Sequence, residues 1–315
     1  MPIDVAILIV TYNSERQIEA CLQSVYDQRG STTQEVIVVD NDSKDGTIAL
    51  IQERFPEVKL HAAGRNLGFA AGVNLAARQT EASYVLLLNP DTVVLDHAID
   101  KVVEFARAHP SYGLYGGRTL KPDGSLEPSS CWGLPTLWSF TMFGTGLNML
   151  ARQNRFLDPE SLGKWPRDTV REVGIITGCF LLVEREVWTK LNGMDERYFL
   201  YGEDADFSKR AALAGYRPVI VPQARIVHEI GQSSATPAHK MLMLFRGKAC
   251  FIRTHYKGIK LKLALFLLLT GVALRAVLVT IRHVGVPKDA ASNNWAAVWS
   301  ARKNWINGFP AQKPA

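Results

Sequence analysis

Cysteine is scarce in this sequence, and the few cysteines present lack the spacing of a metal or redox site. The chain has 315 residues and four cysteines, no two of which lie close together in the sequence. Zinc sites and redox motifs need closely spaced cysteine pairs, so the sequence favours neither. The four cysteines are Cys21, Cys131, Cys179 and Cys250. They predict ordinary buried thiols in a reducing compartment.

Three other features are absent: a basic leader with a cleavage site, an internal repeat, and a glycine-rich phosphate loop near the N-terminus. The chain opens instead on the strand-like run Val5-Ala6-Ile7-Leu8-Ile9-Val10. The missing leader predicts that the main domain stays in the cytosol. The missing phosphate loop disfavours a nucleotidyltransferase, a class that otherwise shares acids at strand ends and the use of a metal.

The composition is that of a folded, basic protein. Hydrophobic residues make up 47% of the chain, and the formal net charge is +6. Such a charge fits an acidic partner, which is a nucleic acid, an anionic membrane face or a phosphorylated substrate. The basic residues concentrate near the C-terminal apolar segment and do not interleave with stacking aromatics, so we expect no nucleic-acid binding.

Apolar runs alternate with helix-period stretches through residue 109, which predicts an α/β fold with a doubly wound, mostly parallel sheet and helices on both faces. Functional loops should gather at the carboxyl edge of such a sheet. Residues 116–170 are rich in Gly, Pro, Ser and Trp and predict loops and short elements. The predicted strands are 5–10, 35–40, 58–60, 84–88, 173–183, 219–221 and 224–228, and the predicted helices are 15–28, 48–54, 70–80, 97–109, 184–191 and a helix ending near 214.

The C-terminal region changes character at Lys257, where an apolar helix with basic flanks is predicted. Its uninterrupted apolar part covers only residues 263–274, short of the roughly 20 residues that cross a bilayer. We expect a helix in the membrane interface, with a core helix or a true span, in which Arg275 would be costly, as alternatives. The predicted domains are therefore a catalytic domain over 1–255 and a basic, apolar helical region over 256–315.

Polar side chains follow the first two strands and one glycine-bearing loop. Side chains of this kind can hydrogen-bond a nucleobase, and an arginine beside a glycine can approach a diphosphate. Ordinary polar strand ends or a surface loop are the alternative interpretation. The candidates are Thr11, Tyr12, Asn13, Asp40, Asn41, Arg65, Asn66 and Gly68.

Asp91 is a candidate metal ligand, because the buried run 84–88 ends in the turn Asn89-Pro90-Asp91. Mg²⁺ and Mn²⁺ bind through one or two carboxylates plus substrate phosphates, so one Asp is adequate. His228, at the end of the last strand-like run, is a candidate second ligand. The alternative is a simple turn, since all three residue types favour turns.

The segment Glu203-Asp204-Ala205-Asp206 begins a predicted helix and follows the aromatic residues Tyr198, Phe199 and Tyr201. Acids in a first helical turn complement the macrodipole, so helix capping explains some of them. Three carboxylates in four residues exceed that need. One of them is a candidate general base on a hydroxyl.

The order of these motifs resembles the family 2 glycosyltransferases with the GT-A fold, and most closely their rhamnosyltransferase-like branch, which acts on cell-surface polysaccharides. The resemblance covers about residues 3–255. Six ordered blocks carry it: Ile9-Val10-Thr11-Tyr12-Asn13, Val38-Val39-Asp40-Asn41-Asp42-Ser43, Asn66-Leu67-Gly68-Phe69-Ala70, Leu88-Asn89-Pro90-Asp91, Thr177-Gly178-Cys179-Phe180-Leu181-Leu182, and Asp195-Glu196-Arg197-Tyr198-Phe199 with Glu203-Asp204-Ala205-Asp206.

The resemblance implies a role for each candidate. Asp91 would be the surviving carboxylate of the family's Asp-X-Asp metal motif, whose first position is Asn89 here, and His228 its late metal-binding histidine. Asp204 matches the general base, with Glu203 beside it for acceptor contacts. The nucleotide-sugar residues are expected to be Thr11, Tyr12, Asn13, Asp40 and Asn41 at the base and ribose, Arg65, Asn66 and Gly68 at the ribose or diphosphate, and Asn89.

The implied reaction is an inverting sugar transfer from a nucleotide-diphosphate donor, for instance dTDP-L-rhamnose, to a lipid-linked or polysaccharide acceptor. It would use Mg²⁺ or Mn²⁺ at the inner face of the cell membrane, in cell-envelope glycan synthesis. Two other interpretations remain: a metal-dependent nucleotidyltransferase, and a catalytically inactive sugar-nucleotide-binding protein. Retention of both Asp91 and Asp204 argues against the second.

Overall fold

The computed structural model describes residues 2–229, 236–282 and 294–310. The chain groups into two compact units. The first unit consists of Met1–Trp132, Trp165–Phe199 and Glu203–Ser233. The second consists of Gly133–Lys164, Leu200–Gly202 and Ser234–Ala315.

The first unit is built on a nine-stranded sheet in the order β3-β2-β1-β4-β10-β6-β11-β5, with β8 pairing β11. A separate pair, β7 and β9, lies outside it. The strands are β1 (Val5–Thr11), β2 (Gln34–Asp40), β3 (Lys59–Ala62), β4 (Tyr84–Leu88), β5 (Thr92–Leu95), β6 (Leu114–Leu120), β7 (Cys131–Trp132), β8 (Arg171–Glu172), β9 (Ile175–Ile176), β10 (Phe180–Glu184) and β11 (Val219–His228).

The predicted α/β fold with a mostly parallel sheet is confirmed. The strands β3, β2, β1, β4, β6 and β11 run in one direction, while β10, β5 and β8 run the other way. The central strands are continuous apolar runs because helices cover both of their faces. In the parallel register of β1 and β2, Thr11 lies opposite Asp40, so the two polar strand ends meet as predicted.

The helices of the first unit pack on both faces of this sheet. On one face, Ile18 of α1 and Val102 of α4 belong to the same buried core as Ile7 of β1. On the other face, α3 comes so close to Val10 that a Cβ on Gly72 would lie 2.9 Å from the valine. These helices are α1 (Glu15–Asp27), α2 (Thr47–Arg54), α3 (Phe69–Ala77), α4 (Ala98–Ala108), α6 (Arg185–Lys190) and α7 (Glu203–Leu213).

Four sequence predictions of strands were wrong in detail. Strand β5 was missed because it begins directly after the turn that ends at Asp91. Strand β6 extends into the stretch predicted to be irregular. The run 173–183 divides at a turn into β9 and β10. The two short runs near the end of the sheet are one strand, β11, with a register shift between Val221 and Arg225.

The second unit is helical, and its core forms around Phe140, Phe245 and Trp305. Two of its helices cross closely: a Cβ on Gly144 would lie 2.8 Å from the Leu267 carbonyl oxygen, and one on Gly271 would lie 2.4 Å from the Phe143 ring. Helices α5 and α8 were not predicted. The helices are α5 (Leu137–Thr145), α8 (Pro237–His255), α9 (Gly258–Arg282), α10 (Asn294–Ser300) and α11 (Arg302–Trp305).

Within the described ranges, α9 is the one helix long and apolar enough to cross a membrane, although a core helix of a soluble protein passes the same test. Its inner face buries Arg275, whose guanidinium donates to the carbonyls of Phe143 and Gly271 and to Asn148 Oδ1. Burial lowers the pKa of Arg275 to about 10. The boundary at residue 255 stays a prediction, and residues 283–293 and 311–315 of the predicted helical region lie outside the described residues.

Candidate active site

The carboxyl ends of β1 and β2 are joined by a buried hydrogen-bond network centred on Asp40. The Thr11 hydroxyl donates to Asp40 Oδ1 at 2.9 Å. The hydroxyl and the amide of Ser43 donate to Oδ1 and Oδ2, at 2.5 and 2.8 Å. Thr11 and Asp40 are fully buried. Asp40 is therefore held as a satisfied carboxylate that fixes the turn after β2.

Asn41 fastens the glycine-bearing loop to the same edge. Its Nδ2 donates to the Gly68 carbonyl at 3.0 Å, and its Oδ1 accepts from the Leu67 amide at 3.4 Å. Both ends of the amide are thus engaged by backbone. We call Thr11, Asp40, Asn41, Ser43 and the loop of residues 64–68 the strand-end framework.

Gly68 is required by a contact inside the protein. Its φ of +81° lies in the left-handed region, and a Cβ would sit 2.3 Å from the Phe199 carbonyl oxygen. The same oxygen accepts the amide of Phe69 at 2.8 Å. The sequence prediction explained this glycine by approach of a diphosphate, whereas Phe199 already accounts for it.

The remaining candidates of this edge are accessible. Tyr12 is 48% exposed, and Asn13, Arg65 and Asn66 are also exposed. Asn13, with a φ of 52°, accepts the Lys44 amide on its Oδ1 at 2.7 Å. Tyr12, Arg65 and Asn66 are therefore open to solvent beside the buried hydrogen bonds of Asp40 and Asn41.

Asp91 and His228 meet although 137 residues separate them in sequence. His228 Nε2 lies 3.1 Å from Asp91 Oδ1, and the Glu229 amide donates to the Asp91 carbonyl at 3.0 Å. Antiparallel pairing of β5 with β11 sets this proximity, because Thr92 lies opposite His228. The predicted pair of metal ligands is therefore adjacent.

The donor set at this pair fits a divalent cation. It offers one carboxylate and one imidazole, a combination that suits Mn²⁺. His228 Nδ1 is buried and has no hydrogen-bond partner among the described residues. No group of three or more His, Cys, Asp or Glu side chains in those residues is arranged to hold a metal ion. Diphosphate oxygens of a donor would be needed to complete the shell.

Asp204, in the first turn of α7, is the most perturbed acid of the site. Burial raises the pKa of Asp204 to about 7, although a hydrogen bond from the Gly178 amide acts in the opposite direction. Its Oδ1 is buried without a partner among the described residues. A side chain at Gly178 would meet this oxygen at 3.2 Å and the Phe69 ring at 2.8 Å. The Thr177-Gly178 turn therefore makes room for the carboxylate.

The two neighbouring acids of α7 differ from Asp204. Glu203 is almost fully buried. Asp206 is completely buried and accepts from Arg210 Nε at 2.7 Å, and Arg210 also donates to the carbonyls of Leu191 and Gly193. Asp206 is thus held in a structural ion pair with Arg210, whereas Asp204 has no ion-pair partner among the described residues.

Asn89 and Cys179 connect the turn that contains Asp91 to the turn that lies against Asp204. The Asn89 amide donates to the Cys179 carbonyl at 3.3 Å. Burial raises the pKa of the Cys179 thiol to about 12, and the carboxylates of Asp204 and Asp91 both add to that rise. Both carboxylates therefore lie near the same thiol. We call Asp91, His228 and Asp204 the carboxylate–histidine cluster.

Sequence reasoning assigned no role to Ser43 or Phe199, although both hold the framework together. Ser43 stands three residues after Asp40, and that spacing is the local signal of a side chain that folds back on a turn. Phe199 acts through its carbonyl oxygen, which no residue pattern reveals.

Comparison with known proteins assigns the chain to a family. The family model described as "Glycosyl transferase family 2" matches residues 6–160, and that described as "N-terminal domain of galactosyltransferase" matches residues 171–236. The N-acetylglucosaminyl-diphospho-decaprenol L-rhamnosyltransferase of Mycobacterium tuberculosis is 30% identical, over 80% of this chain and 85% of the relative. The rhamnosyltransferase WbbL of Escherichia coli is 24% identical, over 71% of this chain and 83% of the relative.

A solved structure supports the fold independently. The mannosyltransferase PcManGT from Pyrobaculum calidifontis, in complex with GDP-Man and Mn²⁺, matches with a TM-score of 0.58 at 18% identity. The match covers 96% of this chain and 80% of that one. At this identity the likeness concerns the GT-A fold alone.

Proposed function

Because the chain belongs to glycosyl transferase family 2, we propose that this glycosyltransferase moves a sugar, with inversion, from a nucleotide-diphosphate donor to a lipid-linked or polysaccharide acceptor. The observation that carries the proposal is the state of Asp204. A carboxylate with a pKa of about 7, whose Oδ1 is buried without a partner among the described residues, is suited to take a proton near neutral pH.

Asp204 is the proposed catalytic base. Its carboxylate accepts the proton of the acceptor hydroxyl as that oxygen attacks the anomeric carbon of the donor sugar. A single displacement inverts the configuration and needs one side-chain base, unlike the two-carboxylate arrangement of glycoside hydrolases. Glu203, adjacent in the same helical turn, would contact the acceptor.

Asp91 and His228 are the proposed metal ligands, for Mg²⁺ or Mn²⁺. A divalent cation held there would neutralise the charge that develops on the departing nucleoside diphosphate. Asn89 replaces the first acid of the family motif, so Asp91 supplies the only carboxylate of that turn. Exposed side chains beside the hydrogen bonds of the strand-end framework would hold the nucleotide, with Tyr12 and Asn13 at the base and Arg65 and Asn66 at the ribose or diphosphate.

For the donor we propose dTDP-L-rhamnose, and for the acceptor a sugar carried on a polyprenyl diphosphate. Support comes from the two relatives, which are named as rhamnosyltransferases, one of them acting on N-acetylglucosaminyl-diphospho-decaprenol. Such a reaction belongs to cell-envelope glycan synthesis.

A donor screen tests the reaction. The purified full chain, with Mn²⁺ or Mg²⁺ and an N-acetylglucosaminyl-diphospho-prenol, is offered dTDP-rhamnose, UDP-sugars and GDP-sugars in parallel. We expect metal-dependent transfer from dTDP-rhamnose, with inverted configuration in the product. Preference for a UDP- or GDP-sugar would remove the rhamnosyl assignment, and transfer that survives in both Asp91→Ala and Asp204→Asn would overturn the mechanism.

For localisation we propose peripheral association of this cytoplasmic enzyme with the inner face of the cell membrane through α9. Ile259, Leu263, Phe266, Val277 and Ile281 are exposed and recur at helical spacing on the outer face of α9. Lys257, Lys260 and Lys262 at its start are exposed, and they suit anionic headgroups. An apolar face flanked by lysines is the pattern of a helix that lies in the interface.

Vesicle sedimentation tests the membrane proposal. Wild-type chain should bind vesicles rich in phosphatidylglycerol, and the pair of changes Leu263→Gln and Phe266→Gln should abolish most of that binding. Leu213→Gln is the matched control, because Leu213 is an exposed apolar residue of α7 in the other unit. Equal binding of all three chains would contradict the proposal.

A further inference from the structure

Arg118, near the carboxyl end of β6, carries a guanidinium that has no hydrogen-bond or ion-pair partner in the part of the chain that the structure describes. Its Nε is buried and makes no hydrogen bond within the described residues, while the side chain as a whole is partly exposed. Two other arginines of the same unit are engaged: Arg185 donates to three backbone carbonyls, and Arg225, the cross-strand neighbour of Arg118, pairs with Asp96. An unpaired guanidinium beside an active site is an unused anion-binding group.

The register of β6 places Arg118 on the face of the sheet that carries Asp204. Side chains alternate along a strand, so Arg118 shares a face with Gly116. A Cβ on Gly116 would lie 2.5 Å from the Ile176 side chain. The Ile176 amide in turn donates to Ser208 Oγ at 3.4 Å. Ser208 belongs to α7, the helix whose first turn holds Asp204.

A series of hydrogen bonds and neighbouring residues connects Arg118 to Asp204. The carbonyl of Thr119, the next residue, accepts the Glu127 amide at 3.0 Å. Two residues later, the Ser129 carbonyl accepts from Thr177 Oγ1 at 2.9 Å. The next residue after Thr177 is Gly178, whose amide bonds Asp204. The end of β6 and residues 127–130 therefore border the turn that houses the proposed base.

Residues 127–130 contain a second polar group without a described partner, the Ser129 hydroxyl. Ser129 Oγ is buried without a hydrogen-bond partner among the described residues. Glu127 is the acid nearest to Ser129 in sequence, and it is engaged in the turn, because its Oε1 accepts the Ser129 amide at 3.2 Å. No carboxylate in the described part of the chain forms an ion pair with Arg118. A guanidinium and a hydroxyl are both donors, and their natural common ligand is a phosphate oxygen.

We propose that Arg118 and Ser129 form a subsite for a phosphate group of the acceptor. The proposal rests on the proposed function, since it takes the acceptor to be a sugar on a polyprenyl diphosphate. The diphosphate of the donor is accounted for by the metal pair Asp91 and His228, whereas Arg118 shares its face of the sheet with Asp204, the base that would take the proton of the acceptor hydroxyl. Arg118 is a binding residue that holds the acceptor in position against Asp204.

Steady-state kinetics with two acceptors tests the subsite. One acceptor is an N-acetylglucosaminyl-diphospho-prenol, and the other is an alkyl N-acetylglucosaminide of equal chain length without phosphate. Arg118→Gln should raise KM for the first by roughly 10- to 100-fold, the range of a lost hydrogen bond to a charged group. We expect the KM for donor, and the KM for the phosphate-free acceptor, to stay within about twofold of wild type. Arg118→Lys should recover part of the loss, because it restores charge without the planar fork.

Matched variants separate the subsite from general damage. Ser129→Ala should raise KM for the diphosphate acceptor by a few-fold. Arg217→Gln should leave KM for both acceptors unchanged. Arg217 stands just before the first residue of β11, far along that strand from Arg225, which lies opposite Arg118, and it pairs with exposed Glu172. If Arg118→Gln weakens both acceptors equally, or weakens neither, the subsite is wrong even though the enzyme transfers sugar.

A direct binding measurement tests the subsite even if the enzyme transfers no sugar at all. A failure of transfer would count against the proposed function and not against the subsite. Calorimetry with farnesyl diphosphate, in EDTA to suppress metal-bridged binding at Asp91 and His228, compares wild type with Arg118→Gln. At least tenfold weaker binding by the variant supports the subsite. Equal affinities, or no measurable binding by wild type, overturn it.

Discussion

The strand-end framework and the carboxylate–histidine cluster lie in the same unit, yet they use their polar atoms in opposite ways. In the framework, both Asp40 oxygens and both ends of the Asn41 amide are hydrogen-bonded inside the protein. In the cluster, Asp204 Oδ1 and His228 Nδ1 are buried without described partners. Satisfied polar groups fix a shape, whereas unsatisfied ones are kept for a ligand. The first region should therefore govern stability and the second chemistry.

Asp204→Asn should give the largest effect on activity. It keeps the shape of the side chain but cannot accept the proton, so we expect transfer to fall by roughly 10²- to 10⁴-fold. In the wild type, the rate should rise with pH through about 7, the pKa of Asp204, because only the carboxylate is a base. Rate measurements between pH 5.5 and 8.5 check both statements, and a wild-type profile that is flat across neutrality would contradict the assignment.

The same helix offers a contrast in stability between Asp204 and Asp206. Asp204 binds its proton more tightly folded than unfolded, so the wild-type free energy of unfolding should fall as pH rises from about 4 to about 7. Asp204→Asn should remove that slope and stabilise the protein at pH 8. Asp206→Asn should cost about 3 kcal/mol, because it leaves Arg210 without its charge partner. Urea unfolding at pH 5 and pH 8 measures both.

Gly68→Ala tests the framework at its tightest point. Both Gly68 and Gly64 have positive φ, but a Cβ on Gly64 meets nothing within 4 Å. We expect Gly64→Ala to lower the free energy of unfolding by about 1 kcal/mol and Gly68→Ala by about 3 kcal/mol, the excess coming from the Phe199 carbonyl. Denaturant midpoints of the two variants give the difference directly, and equal losses would show that the Phe199 contact costs nothing.

Asp91→Asn should separate metal binding from folding. We expect Mn²⁺ affinity, measured by calorimetry in the presence of nucleoside diphosphate, to fall at least tenfold, which is about 1.4 kcal/mol. The free energy of unfolding should hardly change, because the only described side-chain partner of Asp91 is His228. Asp96→Asn is the control, since Asp96 is an exposed acid just after β5 that pairs with Arg225. Similar metal affinities in the two variants would remove Asp91 as a ligand.

Thr11→Val should have a small effect of the opposite kind, on stability and not on metal binding. It removes the hydroxyl that donates to Asp40 and leaves that buried oxygen with one donor fewer. We expect a loss of about 1–2 kcal/mol in the free energy of unfolding, with Mn²⁺ affinity unchanged. Should metal affinity fall more than stability does, the division between framework and cluster would be wrong.

Local patterns predicted the first part of the sheet well. The runs before Thr11, Asp40 and Asp91 are continuous apolar strands because they are covered on both faces, and polar residues mark their ends. The family and the general reaction class also followed from ordered motifs. These features depend on residues close together in the sequence.

What the sequence could not supply depends on distant pairing. The contact of Asp91 with His228 needs β5, which is hidden in four residues after a turn, and its antiparallel register with β11. The role of Gly68 depends on a carbonyl 131 positions away, and backbone atoms leave no trace in residue type. Helix α5 was missed in a stretch rich in turn-forming residues, although Thr136 and Ser139 form a capping box at its start.

The buried cysteines have a practical consequence for chemical labelling. All four cysteines are buried and none forms a disulfide, and burial raises the pKa of Cys21 and Cys179 to about 12. Since the thiolate is the species that reacts, the native chain should resist maleimides at neutral pH. A single new cysteine on the surface would then react alone. Placed at Phe266 with an environment-sensitive fluorophore, it would report whether the outer face of α9 enters a bilayer, without any native cysteine having to be removed.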